Sequence, residues 1–253
     1  IFGNLTEDQM IDNIDAMKIL STYHKKQHYL LNKGAKYEYN PPSWSDTDNV
    51  FPLDAPTHPL THIEWGAYIR QFDKDNTKGD VLEFGVACAG TIRDVAFINP
   101  EKTIYGFDHF EGLEQTKQQT PDYAGWYKGA FRLEGSEYKQ TYDQVVEDCG
   151  QFPNITLVVK DIHELDDPST YGISKISAVH IDVDIYEPAV SALNFVDKCE
   201  WDEIYMRFDD WHGHEPDYDF HERQACKEWI EKNGYNINIM RNGLHGEAIV
   251  SKS

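Results

Sequence analysis

Two acidic clusters end apolar runs in the C-terminal half of the chain: Asp182 and Asp184 in HIDVDIYEP, and Asp209 with Asp210 in EIYMRFDDW. Two residues is the repeat of a strand, so the first pair is expected on one face. Two carboxylates about 4 Å apart repel by roughly 4 kcal/mol at an effective dielectric of about 20, so several converging carboxylates must be protonated or neutralised. A divalent cation removes the conflict. Oxygen donors without a nearby cysteine or a cluster of histidines suit Mg²⁺, Mn²⁺ or Ca²⁺ better than zinc. The expected metal ligands are therefore Asp182, Asp184, Asp209 and Asp210, with Asp182 or Asp184 as the catalytic base that accepts a proton. His109, His212 and His214 are further candidates for that proton. In so acidic a chain the alternative is that some of these carboxylates cap helices or face solvent.

A second group lies upstream. EFGVACAGT places Glu83 and Gly85 at the end of an apolar run, with Gly90 and Thr91 just beyond. A glycine turn lets a ligand approach the backbone, and Asp108 is placed to accept hydrogen bonds from two ribose hydroxyls. NAD and S-adenosylmethionine would both be served. The G-x-G-x-x-G that marks a pyrophosphate site is missing, which favours S-adenosylmethionine. Without a ligand, the same glycines make an ordinary turn and Asp108 an N-cap or Asx-turn.

These groups need a scaffold that brings strand ends together. DVLEFGV, TIYGFD, ITLVVKD, AVHIDVD and EIYMRFDD each read as a buried strand, with helical or loop stretches between, the pattern of a doubly wound α/β parallel sheet. NINIMR and EAIVSK flank Asn242-Gly243, a hairpin signal, so the sheet is expected to finish with an antiparallel pair. Such sheets bind ligands at the carboxyl ends of their strands. Before them, Thr6 and Gln9 stand at capping-box spacing ahead of a helix expected over residues 7 to 32. Five prolines fall in an irregular stretch over 35 to 59, and a second helix is expected over about 60 to 73. The expected division is a helical segment with a lid loop over 1–79 and the sheet domain over 80–253.

Composition narrows the partners. Across 253 residues, 44 acidic side chains oppose 23 basic ones, a formal net charge of −21, which repels nucleic acid and anionic lipid. No run of about 18 apolar residues is present to span a bilayer. Four scattered cysteines form neither a C-x-x-C pair nor a dense disulfide framework, which fits a cytoplasmic protein. The expected partner is a small hydroxylated molecule, with a homo-oligomer allowed. Trp211, Tyr186 and the aromatic YAGWYKGAF would wall such a molecule or else pack in the core.

LEFGVACAGT, YGFDHFEGL, HIDVDIYEPAVSAL, RFDDW and HERQACKEWIEKNGY occur in the order found in macrocin-type sugar O-methyltransferases, and residues 80 to 241 resemble that TylF-like, metal- and S-adenosylmethionine-dependent family. The resemblance implies a seven-stranded Rossmann-like methyltransferase fold. It implies Glu83 and Gly85 in the methionine-side turn, Asp108 on the ribose, His109 and Phe110 beside the adenosine, and Asp161 and Ile162 along the adenine. It also implies Asp182 or Asp184 with Asp209 and Asp210 on the metal. The expected activity is a cation-dependent O-methyl transfer to a sugar or glycosylated metabolite. A catechol-like phenol is the same-class alternative, and a NAD-dependent oxidoreductase or a non-catalytic nucleoside-binding domain are the others.

Overall fold

The computed structural model describes residues 62–75, 78–117, 126–134, 140–211, 220–243 and 245–253. The helix expected over 7 to 32, the proline-rich stretch over 35 to 59, His212 and His214 lie outside these residues. Helix α1 (His62–Asp75) leads into β1 (Asp80–Phe84), α2 (Gly90–Ile98), β2 (Ile104–Asp108), α3 (Tyr142–Gly150), β3 (Ile155–Val159) and β4 (Ile176–Ile181). After these come α4 (Tyr186–Val196), β5 (Glu203–Phe208), α5 (His221–Asn233), β6 (Asn236–Asn242) and β7 (Gly246–Ser251). The seven strands form one sheet in the order β3-β2-β1-β4-β5-β7-β6. Strands β1 to β5 run parallel, and the closing hairpin is antiparallel, with β7 inserted beside β5. No helix among the described residues is long and apolar enough to cross a membrane.

Four of the five expected buried strands are central and apolar, as a sheet covered on both faces requires. The exception is β3. It takes the sheet edge, and Val159 is 50 % exposed. One face of the sheet presents Phe84, Phe107, Ile181 and Phe208 to the side carrying Leu193 and Phe195 of α4 and Trp229 of α5. The opposite face presents Val81, Ile104, Ala178 and Tyr205 to Trp65, Ile69 and Ile92. Helix α1, expected in the segment that precedes the sheet, thus supplies Trp65 and Ile69 to the sheet's own core.

That second face carries an unusual row. In register across β1, β4, β5, β7 and β6 stand Glu83, His180, Arg207, Glu247 and Arg241, one per strand and all buried. Charges alternate along it: Arg207 Nη1 lies 3.9 Å from Glu247 Oε1, and Arg241 Nε lies 3.4 Å from Glu247 Oε2, which also accepts the Tyr205 hydroxyl at 2.9 Å. Buried pairs of this kind add little net stability, but removing one member strands the other in a low dielectric. Arg207→Met is therefore expected to lower the unfolding free energy by about 3 kcal/mol or more in a urea titration. A loss below about 1 kcal/mol would show that the row is not an electrostatic unit.

Candidate active site

A cleft of about 420 Å³ opens at the carboxyl ends of the parallel strands, with Asp108, His109, Asp161 and Ile162 along one part and Asp182, Asp184, Asp209 and Asp210 along another. Strand β4 stops at Ile181, so Asp182 and Asp184 stand in the loop before α4, and Asp184 has a left-handed backbone (φ 59°). The two-residue strand repeat therefore does not place them. They converge all the same: oxygens of Asp182, Asp184 and Asp210 lie within 4.8 Å of one another, and so do ligand atoms of His180, Asp182 and Asp209.

What places them is Glu222, which carried no role in the sequence reading. Fully buried in the first turn of α5, it accepts the backbone N–H of Val183 at 2.8 Å and of Asp184 at 3.1 Å on one oxygen. Its other oxygen accepts the N–H of Asp210 at 3.1 Å. One carboxylate thus ties the loop after β4 to the loop after β5, and its charge sits where the helix dipole favours it. The sequence offered only an acidic residue in a first helical turn, ordinarily a solvated position.

Burial, followed by mutual repulsion, raises Asp182, Asp184, Asp210 and Glu222 well above the usual carboxylate range. Asp209 goes the other way: burial opposes its ionisation, but His180 and His245 outweigh it and hold its carboxyl well below the usual range. His245 Nδ1 lies 3.0 Å from Asp209 Oδ1, and Arg207 Nη2 lies 3.4 Å from the same oxygen. Half-buried oxygen donors crowded until their ionised forms are disfavoured fit a hard divalent cation.

On the other side of the cleft, Gly85 has φ 83°, and a Cβ there would sit 1.6 Å from the Asp182 carbonyl oxygen, so only glycine allows this turn to touch the acidic loop. Asp108 closes the turn from outside. Its Oδ2 accepts the N–H groups of Val86 and Ala87, each at 2.8 Å, and its Oδ1 accepts that of Phe110 at 2.6 Å. Asp161 caps a short 3₁₀ turn by accepting the His163 N–H at 2.8 Å. Glu83, Gly90, Thr91 and Phe110 do not line the cleft. Glu83 faces His180, Thr91 Oγ1 meets His62 Nε2 at 3.2 Å, and Phe110 packs on Tyr142 with ring centroids 5.3 Å apart. Of the aromatic residues, Trp126 and Phe131 line the cleft. Trp211 is buried with its indole N–H on Asn242, and the Tyr186 hydroxyl donates to Glu228.

The raised carboxyls make stability depend on pH in a definite direction. Unfolded, these groups ionise near pH 4; folded, they hold their protons to higher pH, so their contribution is fully present below about pH 4 and is lost as pH rises through the folded values. Asp184→Asn removes one charge, and asparagine tolerates the left-handed backbone at this position. In EDTA the variant is expected to melt at a higher temperature than the parent at pH 7, with the gain vanishing towards pH 4. Equal melting temperatures at pH 7 would show that repulsion at Asp184 is relieved in some other way.

No protein-family model matches the chain, and no curated protein matches it at a significant level. Solved structures do match. A crystal structure described as CalS11, calicheamicin methyltransferase, superposes with a TM-score of 0.59 and 18 % identity, over 98 % of this chain and 94 % of that one. The O-methyltransferase NovP gives 0.56 and 19 %, over 75 % of this chain and 80 % of that one. An apo structure described as CalS11, TDP-rhamnose 3'-O-methyltransferase, gives 0.51 and 16 %, over 98 % and 96 %. At these identities the likeness is one of fold: the chain has the Rossmann-like methyltransferase fold, a mostly parallel seven-stranded sheet with a C-terminal antiparallel hairpin.

Proposed function

We propose that the chain is an S-adenosylmethionine-dependent O-methyltransferase that needs a divalent cation, Mg²⁺ in the first instance, and acts on a small polyhydroxylated acceptor such as a sugar or glycosylated metabolite. The observation that carries this reading is the single cleft joining Asp108 and Asp161 to the half-buried acidic quartet. The fold supports it, since solved structures of that fold are described as O-methyltransferases, one of them acting on TDP-rhamnose.

Each residue then has a task. Asp108 accepts the Val86, Ala87 and Phe110 N–H groups, which leaves about one of the roughly four acceptor sites of a carboxylate, on Oδ1, for a ribose hydroxyl. Asp161 and Ile162 border the adenine, and His109 lies beside the adenosine. Asp182, Asp184, Asp209 and Asp210 hold the cation, which when bound lowers the pKa of an acceptor hydroxyl. Methyl transfer is an in-line displacement: a C–O bond forms as the C–S bond of the sulfonium breaks, and the hydroxyl proton passes to Asp182 or Asp184. Trp126 and Phe131 offer apolar faces to the acceptor.

Chelation with EDTA is expected to abolish methyl transfer while leaving S-adenosylmethionine binding largely intact in calorimetry, and Asp210→Asn should reproduce that separation. Full turnover in EDTA would remove the cation from the reaction. Asp108→Ala is expected to weaken S-adenosylmethionine binding by about 1.5–3 kcal/mol per lost contact with the fold retained. Unchanged affinity would move the ribose to another residue.

A further inference from the structure

We propose that His180, Asp182 and Asp209 form a separate, nitrogen-containing cation position, adjacent to the oxygen-only set of Asp182, Asp184 and Asp210 and suited to a borderline divalent cation such as Mn²⁺, Co²⁺ or Zn²⁺. It deepens the cation-dependent reading above and rests on it through the shared Asp182.

His180 has no exposed surface (0 %), and neither of its ring nitrogens has a hydrogen-bond partner. A buried imidazole in that condition is costly unless something occupies its lone pair. Its Nε2 faces Asp209 Oδ1 across 3.8 Å, too far for a hydrogen bond. Two ligands of one cation, each at roughly 2.1 Å, stand about 3–4 Å apart. The His180, Asp182 and Asp209 donors already lie within 4.8 Å of one another. On the far side of the ring, Nδ1 faces Glu83 Oε2 at 3.6 Å, and that oxygen also lacks a hydrogen-bond partner. Metal-bound histidines commonly turn their second nitrogen to a carboxylate in this way. The Trp65 ring, 5.2 Å from the imidazole centroid, holds the ring from the α1 side.

A nitrogen donor favours Mn²⁺, Co²⁺ or Zn²⁺ over Mg²⁺, which prefers oxygen throughout.

Mn²⁺ alone, added to the metal-free full chain, is the probe, and electron spin-echo envelope modulation is the readout. Directly bound ¹⁴N is expected in the parent spectrum. His180→Gln should abolish that coupling and weaken Mn²⁺ binding by about tenfold or more, with Mg²⁺ binding nearly unchanged. Bound Mn²⁺ without ¹⁴N coupling would overturn the inference, leave the oxygen-only site standing and mark His180 as a protonated counter-ion of Glu83 and Asp209. Coupling that survives in His180→Gln would overturn it too, by assigning the nitrogen elsewhere. No Mn²⁺ or Mg²⁺ binding at all would remove the cation from the proposed function as well. Should the variant fail to fold, the parent spectrum and the relative Mn²⁺ and Mg²⁺ affinities of the parent still decide.

Discussion

Five carboxylates, the buried Glu222 and the half-buried Asp182, Asp184, Asp209 and Asp210, share one small volume at the end of β4 and β5, and their repulsion is the constraint around which the C-terminal edge of the sheet is built. Glu222 spends its charge on three backbone N–H groups, so it acts as a clamp between two loops. Asp209 is offset by His245 and Arg207. Among the described residues, Asp182, Asp184 and Asp210 have no comparable cationic neighbour, and they are pushed towards their protonated forms. The fold tolerates the strain because the loops bearing these residues continue the backbone bonding of the strands: the Asp182 N–H donates to Phe84 and the Asp209 N–H to Ile181, each at 2.9 Å.

The row beneath the cleft extends the same logic. A parallel sheet buried on both faces ordinarily fills every position with apolar side chains. Here one layer is polar, and two of its members reach the acidic loops, His180 Nε2 at 3.8 Å and Arg207 Nη2 at 3.4 Å from Asp209 Oδ1. Hydrophobic residues in that layer would suit stability at least as well, so its position below the candidate site is the feature that calls for a function.

Much of the architecture was legible in the chain. The apolar runs of β1, β2, β4 and β5 are long enough for buried strands, and Asn242-Gly243 announced the closing hairpin. Strand β3 misled because ITLVV is as apolar as its neighbours; only sheet order reveals that no described strand pairs with its outer edge. The acidic quartet was visible from residue type alone, although the strand repeat invoked for Asp182 and Asp184 gives way to a left-handed loop. Glu222 and His180 could not be read in the same way. One depends on where the first turn of α5 lands, the other on the register that sets Glu83 opposite His180 and His180 opposite Arg207. Neither quantity is local, and Asp108 shows the same limit: its type suggested a ligand contact, while its hold on the Val86–Ala87 turn appears only in three dimensions.

The contact between Gly85 and the Asp182 carbonyl sets a fixed dimension in the cleft. No side chain fits between the glycine turn and the acidic loop at this point, so their closest approach is a contact of main chains. Trp126 and Phe131 form another wall of the same cleft, so the shape of the space beside that contact is set by side-chain type, while the contact itself is set by the main chain.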